Sequence, residues 1–297
     1  MHRITLLTNP DECNLRCPLC FLNQRPNGHR VIGMGEMPFE VARAAIERYA
    51  AECDDSGKRL LREVIPSTMG EPLLYSHFDE LLEFCHAIGI PLNLTTNGTF
   101  PGKWDSETGM ELLLRSCSDI KVSHLASEQF DGWNANVEKL LNVRNSVSGE
   151  TVAKSVSNEK KSKIATVSLQ VTLHRKNLKN VPDLITWASS IGIDRIKWNP
   201  VVFLSDVSQK LREMYEIDNS QLDLLRKEFR TGVFSALNVK HEGSLFLENG
   251  AGYCAVGGKC DSCPFADEVW VWPDGHEDHC PNPERRYGNK KAECYFI

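Results

Sequence analysis

Three cysteines lie within eight residues near the start of the chain, at Cys13, Cys17 and Cys20. A short, irregular loop with the spacing C-x3-C-x2-C can aim three thiolates at one centre, and thiolates are the usual ligands of a cubane iron–sulfur cluster. Three ligands leave one iron open to a small molecule. Zinc usually takes a second cysteine pair, which this loop lacks nearby. The remaining alternative is three unrelated buried cysteines, which seldom cluster so closely.

Short apolar runs of strand length alternate with amphipathic helical segments between residues 4 and 200. This alternation predicts βα units and a parallel sheet, and six units instead of eight predict an α/β fold with a partial (βα)6 barrel of the TIM type. The active residues of such barrels lie at the carboxyl ends of the strands. Four polar residues fall at predicted strand ends: Cys13, Glu71, Asn97 and Ser123.

The composition bounds the class of protein. The chain has 297 residues, of which 41% are hydrophobic and 25% charged, enough for one large domain and a smaller appendage. No apolar run is long enough for a membrane span and no signal peptide is visible, so we expect a cytoplasmic protein without a membrane partner. Eleven cysteines in a reducing compartment favour metal binding over disulfides. The net charge of −6 disfavours a nucleic-acid partner and favours a cationic substrate.

The cysteine loop and the two segments after the second and third predicted strands resemble the radical SAM superfamily over about residues 4–200. In that family the open iron binds the amino and carboxylate groups of S-adenosylmethionine, and the reduced cluster cleaves this cofactor to a 5′-deoxyadenosyl radical. The resemblance implies a [4Fe–4S] cluster on the three cysteines of the loop. It also implies an external electron donor such as flavodoxin or ferredoxin.

The resemblance extends to candidate cofactor-binding residues. Met69-Gly70-Glu71-Pro72 resembles the family's GGEP segment, with Met69 in place of the first glycine. By that resemblance, the carbonyls of this turn and the carboxylate of Glu71 hold the amino group of the cofactor. Thr95-Thr96-Asn97-Gly98 resembles the third-strand ending that lines the family's active site, and Ser123 and Gln170 are candidates for contacts to the ribose.

Five further cysteines fall in the last 44 residues: Cys254, Cys260, Cys263, Cys280 and Cys294. Between them, Pro273-Asp274-Gly275 predicts a turn joining two strand-like arms. This arrangement resembles the auxiliary-cluster hairpin of radical SAM proteins with twitch or SPASM extensions. Because a full SPASM domain needs more cysteines, the resemblance implies a small twitch-type domain with one auxiliary [4Fe–4S] cluster, and therefore two [4Fe–4S] clusters in all.

The predicted ligands of the auxiliary cluster are Cys260, Cys263, Cys280 and Cys294. Since four thiolates complete a cubane, Cys254 in its glycine-rich loop is then a surplus thiol. Two alternatives stay open. In the first, Cys260, Cys263, Cys280 and Cys294 form a four-thiolate zinc site. In the second, Cys254 is a ligand of the cluster and Cys260 or Cys294 is the surplus thiol.

The domain division that follows from these patterns has three parts. Residues 1–235 form the partial barrel, residues 236–297 form the auxiliary iron–sulfur domain, and residues 146–163 form a mobile surface insertion. The insertion is rich in Ser, Lys, Glu and Asn and poor in apolar residues, a composition that cannot support a packed core.

A surplus thiol beside a radical site indicates an epimerase. One face of a substrate carbon loses hydrogen to the deoxyadenosyl radical, and Cys254 returns hydrogen to the opposite face. This layout resembles the radical SAM epimerases that act on the aminoglycoside neomycin C, which implies a cationic sugar as substrate. Five acidic residues suit such a polyamine: Glu71, Asp267, Glu268, Glu277 and Asp278. A solvated surface is the alternative role for these acids.

Three other functions remain open. The second hypothesis is an alcohol dehydrogenase, in which the auxiliary cluster takes an electron from the substrate. The third hypothesis is peptide maturation, as in many twitch and SPASM enzymes. A non-enzymatic zinc scaffold is the fourth hypothesis, and iron and labile sulfide analysis separates it from the others.

Overall fold

The computed structural model describes residues 2–24, 33–67, 69–154, 164–232, 234, 238–246 and 268–279. Within these ranges the strands are β1 Arg3–Leu6, β2 Glu63–Pro66, β3 Leu92–Thr96, β4 Cys117–Ser123, β5 Thr166–Leu173, β6 Arg195–Pro200, β7 Lys240–Glu242, β8 Glu268–Val271 and β9 Glu277–Asp278. The α-helices of the same ranges are α1 Phe39–Ala50, α2 Phe78–Ala87, α3 Glu107–Ser116, α4 Trp133–Lys154, α5 Val181–Ile191, α6 Gln209–Tyr215 and α7 Asn219–Arg230.

The described strands form one nine-stranded sheet in the order β7-β6-β5-β4-β3-β2-β1-β8-β9. Every neighbouring pair is parallel except β8 and β9, which are antiparallel. The first six strands follow one another in the sheet as they do in the chain, with helices in the crossovers. The predicted α/β fold with a parallel, partial-barrel sheet is therefore confirmed.

Three strands beyond residue 235 join this same sheet, and two of them, β7 and β8, pair directly with the six predicted strands, one on each side. β7 pairs with β6 at Arg195↔Lys240, and β8 pairs with β1 at Arg3↔Glu268. The sequence pattern predicts these segments in a separate small domain, residues 236–297. These strands are only three and four residues long. A local pattern carries no information about such distant partners, so the pairing could not be predicted.

The hairpin predicted around Pro273-Asp274-Gly275 is present, as β8 and β9 with the pair Trp270↔Asp278. Gly275 has φ +84°, a left-handed conformation that glycine adopts without strain.

Helix α4 is longer than predicted. The sequence pattern predicts a helix that ends near residue 145 and a mobile insertion at residues 146–163, whereas the helix continues to Lys154. Val143 and Val147, one turn apart, are both buried, so the helix still packs on the core beyond residue 145. Residues 155–163 lie outside the described part of the chain.

The two faces of the sheet differ in polarity because side chains alternate along each strand. The helix-covered face is apolar and carries fully buried residues such as Ile4, Leu94, Ile120, Leu169 and Ile196. The opposite face, called here the inner face, carries polar and charged residues, among them Thr5, Asn93, Asp119, Lys121 and Lys197. The inner face and the carboxyl ends of the strands therefore provide the polar environment that a site requires.

Candidate cluster and cofactor site

The cysteine loop begins directly after β1, as the sequence predicts. Cys17 is buried, while Cys13 and Cys20 are half-buried. Burial, together with repulsion from Cys20 and Cys13, raises the pKa of the Cys17 thiol to about 12. The three sulfurs are thus close enough to repel one another as thiolates. A positively charged iron centre offsets both effects, so the loop suits a cluster better than it suits three free thiolates.

Among the described residues, no three His, Cys, Asp or Glu side chains are gathered for a single metal ion. This observation does not conflict with a cubane, because each thiolate of a cubane binds a different iron and the sulfurs stand farther apart than ligands of one ion.

Two hydrogen bonds join the Met69–Pro72 turn to the segment that leads into the cysteine loop. The amide of Glu71 donates to the carbonyl of Glu12 at 2.7 Å, and Asn9 Nδ2 donates to the carbonyl of Glu71 at 2.7 Å. Gly70 lies at φ +79°, and a Cβ there would stand 2.2 Å from the Asn9 carbonyl oxygen and 2.4 Å from that of Glu12. Only glycine permits this approach, so Gly70 holds the ends of β1 and β2 together.

Met69 does not interfere with that approach. Its side chain is 1% exposed and packs with Leu7, Leu22 and two tryptophans of the β8–β9 hairpin segment, Trp270 and Trp272. The residue that departs from the family pattern therefore contributes to a small apolar cluster beside the cysteine loop.

Glu71 joins the ends of β2 and β3. Its Oε2 accepts from the Asn97 amide at 2.7 Å, and its Oε1 accepts from Thr96 Oγ1 at 2.7 Å and from the Leu73 amide at 3.3 Å. The residue is 1% exposed, and burial raises the pKa of its carboxyl to about 7 despite these donors. Three protein donors thus engage the carboxylate that the resemblance assigns to the cofactor's amino group.

Asn97 connects the end of β3 to the cysteine loop. Its Nδ2 donates to Asn14 Oδ1 at 2.8 Å and lies 3.6 Å from Cys13 Sγ, within hydrogen-bonding reach of sulfur. Its Oδ1 accepts from the amide and hydroxyl of Thr99 at 2.9 and 2.7 Å, which fixes the orientation of the side-chain amide. Asn97 is therefore placed beside a predicted cluster ligand.

Gln24 anchors the other end of the cysteine loop, and the sequence analysis missed it. Its Nε2 donates to the carbonyls of Leu19 and Val202 at 2.8 and 2.9 Å, and its Oε1 accepts from the Leu204 amide at 2.9 Å. The side chain is 2% exposed. Because Val202 and Leu204 lie in a loop after β6, no local signal in the sequence indicates this role.

Ser123 and Gln170 lie opposite each other at the register position Ser123↔Gln170 of β4 and β5. Both are half-buried. Neither side chain makes a hydrogen bond to any residue that the structure describes. A half-buried hydroxyl and amide without protein partners suit a polar ligand such as a ribose.

A second group that the sequence analysis missed follows β4 and β5. His174 Nε2 lies 2.8 Å from Glu128 Oε1, and His174 is fully buried. This contact is the largest cause of a lowered pKa at Glu128. Burial lowers the pKa of His124 to about 4, so His124 is neutral at pH 7. The charge of Glu128 is also the smallest of the contributions that raise the pKa of Cys17.

The acids predicted to bind a polyamine are engaged in other contacts. Glu277 accepts from Tyr49 at 2.8 Å and pairs with Arg48. Glu268 pairs with Arg3 at 3.4 Å, and Asp278 also has a partner. Asp267 lies outside the described residues. The solvated or ion-paired role, the alternative for these acids, fits the described ones better than a polyamine site does.

The predicted ligands of the auxiliary cluster, Cys260, Cys263, Cys280 and Cys294, lie outside the described residues, and so does Cys254. Cys53, Cys85 and Cys117 are described as free thiols. Burial is the largest cause that raises the pKa of both Cys85 and Cys117, so these two remain protonated.

A comparison with protein-family models matches the family described as the Radical SAM superfamily over residues 10–188. That range contains the cysteine loop, the Met69–Pro72 turn, Asn97, Ser123 and Gln170. Among curated proteins, the tungsten-containing aldehyde ferredoxin oxidoreductase cofactor-modifying protein of Pyrococcus furiosus is 23% identical over 190 residues. This match covers 62% of the present chain, and the chain spans about half (47%) of that relative.

Two solved structures resemble the fold over nearly the whole chain. SuiB of Streptococcus suis bound to S-adenosylmethionine matches with a TM-score of 0.61 and 18% identity, over 94% of this chain and 60% of SuiB. Native anSMEcpe with bound AdoMet matches with a TM-score of 0.63 and 16% identity, over 94% of this chain and 75% of anSMEcpe. At these identities the likeness concerns the fold. Within the described residues, no helix is long and apolar enough to cross a membrane.

Proposed function

Because this chain belongs to the radical SAM superfamily, we propose that it is a maturase that modifies a peptide by radical chemistry. The observation that carries the proposal is the structural likeness to SuiB and anSMEcpe across 94% of the chain. Both neighbours are described with peptides bound, the precursor peptide SuiA in one and the Cp18Cys peptide in the other. The chain spans 60% of SuiB and 75% of anSMEcpe, so we propose the peptide substrate for this chain separately from theirs.

When bound, S-adenosylmethionine and the [4Fe–4S] cluster that the superfamily implies supply a one-electron cleavage and a 5′-deoxyadenosyl radical. An external electron donor must reduce the site. We assign Cys13, Cys17 and Cys20 as the residues that hold this cluster. Asn97 and Gln24 then position the cysteine loop, the first by its contact with Cys13 and the second by its bonds to Leu19 and Leu204.

The cofactor has a matching set of groups at the strand ends. We assign the turn of Met69, Gly70 and Glu71 to the amino group of the cofactor, with the backbone carbonyls as the main acceptors because the Glu71 carboxylate is engaged by Thr96 and Asn97. The side chains of Ser123 and Gln170, which make no hydrogen bond to the part of the chain that the structure describes, suit the ribose. The apolar cluster of Leu7, Met69 and the two tryptophans excludes water from one side of the cysteine loop.

For the C-terminal region we propose a second, auxiliary [4Fe–4S] cluster on Cys260, Cys263, Cys280 and Cys294. Cys254 is then a free thiol that can return hydrogen to a substrate carbon. This assignment rests on the sequence spacing alone, because all five cysteines lie outside the described residues. It is compatible with a peptide substrate as well as with a sugar.

The aminoglycoside epimerase predicted from the sequence is less well supported than peptide maturation. None of the relatives named above is described as an epimerase. The described acids expected to bind a polyamine are in contacts with Arg3, Arg48, Tyr49 or other groups of the protein. On a peptide, inversion of a carbon would use Cys254 as the hydrogen donor.

The test compares two substrate classes with the anaerobically reconstituted full chain. Formation of 5′-deoxyadenosine is measured with a chemical reductant alone, with a pooled library of short peptides, and with neomycin C. We expect the peptides to raise the rate above the reductant-only background and to yield a peptide of altered mass. A rate increase by neomycin C alone, with inverted sugar as product, would overturn the peptide proposal.

A further inference from the structure

The inner face of β4–β7 carries a surplus of positive charge. Its charged residues are the cations Lys121, Arg195, Lys197 and Lys240 and the anions Asp119 and Glu242. The chain as a whole has a formal net charge of −6. A local surplus of positive charge on the inner face of the sheet attracts anions and repels cations, although the chain as a whole is negative.

Glu242 is shared among three of these cations. Its carboxylate lies 3.3 Å from Lys197 Nζ, 3.6 Å from Lys240 Nζ and 3.7 Å from Arg195 Nη1. One negative charge therefore forms ion pairs with three positive charges and cannot neutralise all of them. Lys197 and Arg195 keep about a quarter of their side chains exposed, at 27% and 29%, so both can reach a ligand as well.

Lys121 adds to the same imbalance from β4, where the register places it in one row with Arg195 and Lys240, next to the row that holds Lys197. Its ammonium bonds to Asn93 Oδ1 and lies 3.8 Å from Asp119 Oδ2, while Asp119 also accepts from Thr166 and Ser168. Burial first, and then repulsion by Lys197, lower the pKa of Lys121 to about 8. The lysines of these two rows are close enough to repel each other.

Lys197 continues the row of residues assigned to the cofactor. The strand register aligns Ser123 with Gln170, Gln170 with Lys197, and Lys197 with Glu242. A ligand group placed at Lys197 is therefore one strand away from Gln170. This places Lys197 at the same level as the predicted ribose contacts, on the side of the sheet toward β7, while Arg195 and Lys240 lie in the next row toward the amino ends of the strands.

We propose that Lys197, supported by Arg195 and Lys240 around Glu242, binds an acidic side chain, Asp or Glu, of the peptide substrate. The inference rests on the proposed peptide-modifying function and adds the substrate's charge to it. It also reverses the expectation of a cationic substrate drawn from the net charge. A polyamine in this position would meet three cations that already compete for one carboxylate.

The test is equilibrium binding of two matched peptides to the reconstituted full chain. The probes are an alternating Gly-Glu peptide and an alternating Gly-Gln peptide of equal length, both capped and carrying the same uncharged label, followed by fluorescence anisotropy. We expect the Gly-Glu peptide to bind at least about five-fold more tightly at about 50 mM salt, with the difference falling at about 300 mM salt.

Variants localise the effect. Lys197→Gln should weaken binding of the Gly-Glu peptide about five-fold, whereas Lys197→Arg should retain most of it. Lys240→Gln, at the exposed edge, gives a second measurement if Lys197→Gln folds poorly. Lys210→Gln removes an exposed lysine of α6, away from the sheet, and should bind as the wild type does.

Equal binding of the two peptides by the wild type, or equal losses in Lys197→Gln and Lys210→Gln, would overturn the acidic-group proposal. Failure of the acidic-group proposal can be told apart from failure of the peptide-modifying function. Wild-type cofactor cleavage stimulated by uncharged peptides would leave peptide modification standing and remove only the acidic subsite.

Discussion

Asn97 Nδ2 lies 3.6 Å from Cys13 Sγ, which links the end of the third strand to the first predicted cluster ligand. The amide is held in place by Thr99 on one side and Asn14 on the other. A donor aimed at a thiolate sulfur stabilises negative charge on it and raises the reduction potential of a cluster that the sulfur binds. Asn97 is thus placed to raise the reduction potential of the cluster and to hold the cysteine loop in position.

The first prediction concerns that contact. Asn97→Ala should lower the reduction potential of the N-terminal cluster and reduce the fraction of chains that retain it, because the donor to Cys13 and the bond to Asn14 are both lost. The measurement is a redox titration followed by electron paramagnetic resonance. Asn134→Ala, at an exposed position of α4, is the control. An unchanged potential in Asn97→Ala would show that the amide does not act on the cluster.

The second prediction concerns the close approach at Gly70. Gly70→Ala should destabilise the chain by more than about 4 kcal/mol, because its Cβ would overlap two backbone oxygens that cannot move independently. Gly89→Ala is the matched control. Gly89 also has a positive φ, +68°, but has nothing within 4 Å of a Cβ, so its cost should be about 1 kcal/mol. Similar losses from the two substitutions in denaturant titrations would contradict the clamp between the Met69–Pro72 turn and the cysteine loop.

The third prediction concerns the pH dependence of stability. The carboxyl of Glu71 has a pKa of about 7 in the folded chain, raised from 4.5 by burial. The folded state therefore holds this proton more tightly than the unfolded state does. The contribution to stability is fully present below pH 4.5 and is lost as the pH rises through 7. Relative to Glu71→Gln, the wild type should lose roughly 3 kcal/mol between these limits.

Urea titrations of the two proteins between pH 5 and pH 8 test this prediction. Glu83→Gln, which removes an exposed carboxylate of α2, is the control and should show no comparable trend. A stability difference between wild type and Glu71→Gln that is constant with pH would mean that Glu71 keeps an ordinary proton affinity in the folded chain.

Much of this architecture could be predicted because its signals are local. The cysteine spacing, the Gly70–Glu71 turn and the segment at Asn97 stand directly after apolar runs, and parallel strands bring such ends to one edge of the sheet. The contacts of Asn9 and Gln24 could not be predicted, because a buried amide has no periodic signature and its partners are set by the fold. The same holds for the pairing of β8 with β1.

The charge of the inner face is a second feature that the sequence alone could not predict. Lys121, Lys197 and Glu242 belong to three different strands, and only the register places them together. The net charge of the chain indicated a cationic substrate, whereas the local arrangement around Glu242 favours an anionic one. Overall charge predicts the mean field of a molecule and not the field at one site.

The fourth prediction concerns the C-terminal cysteines. The reconstituted chain should bind about eight irons in two [4Fe–4S] clusters. Cys254→Ala should retain all of this iron, because we assign Cys254 as a free thiol, and Cys263→Ala should lose about half of it. Iron near four per chain with stoichiometric zinc would replace the auxiliary cluster by a zinc site. A loss of half the iron in Cys254→Ala would make Cys254 a ligand.

The assignment of Cys13, Cys17 and Cys20 is the central claim, and cofactor cleavage by the triple Ala variant tests it most directly. The variant and the wild type are reconstituted anaerobically, and iron content and 5′-deoxyadenosine are measured with S-adenosylmethionine and a chemical reductant. Cys53→Ala, which removes an exposed cysteine away from the loop, is the control and should match the wild type. We predict that the triple variant keeps only the auxiliary iron and forms no 5′-deoxyadenosine. Undiminished 5′-deoxyadenosine formation by that variant would contradict the assignment.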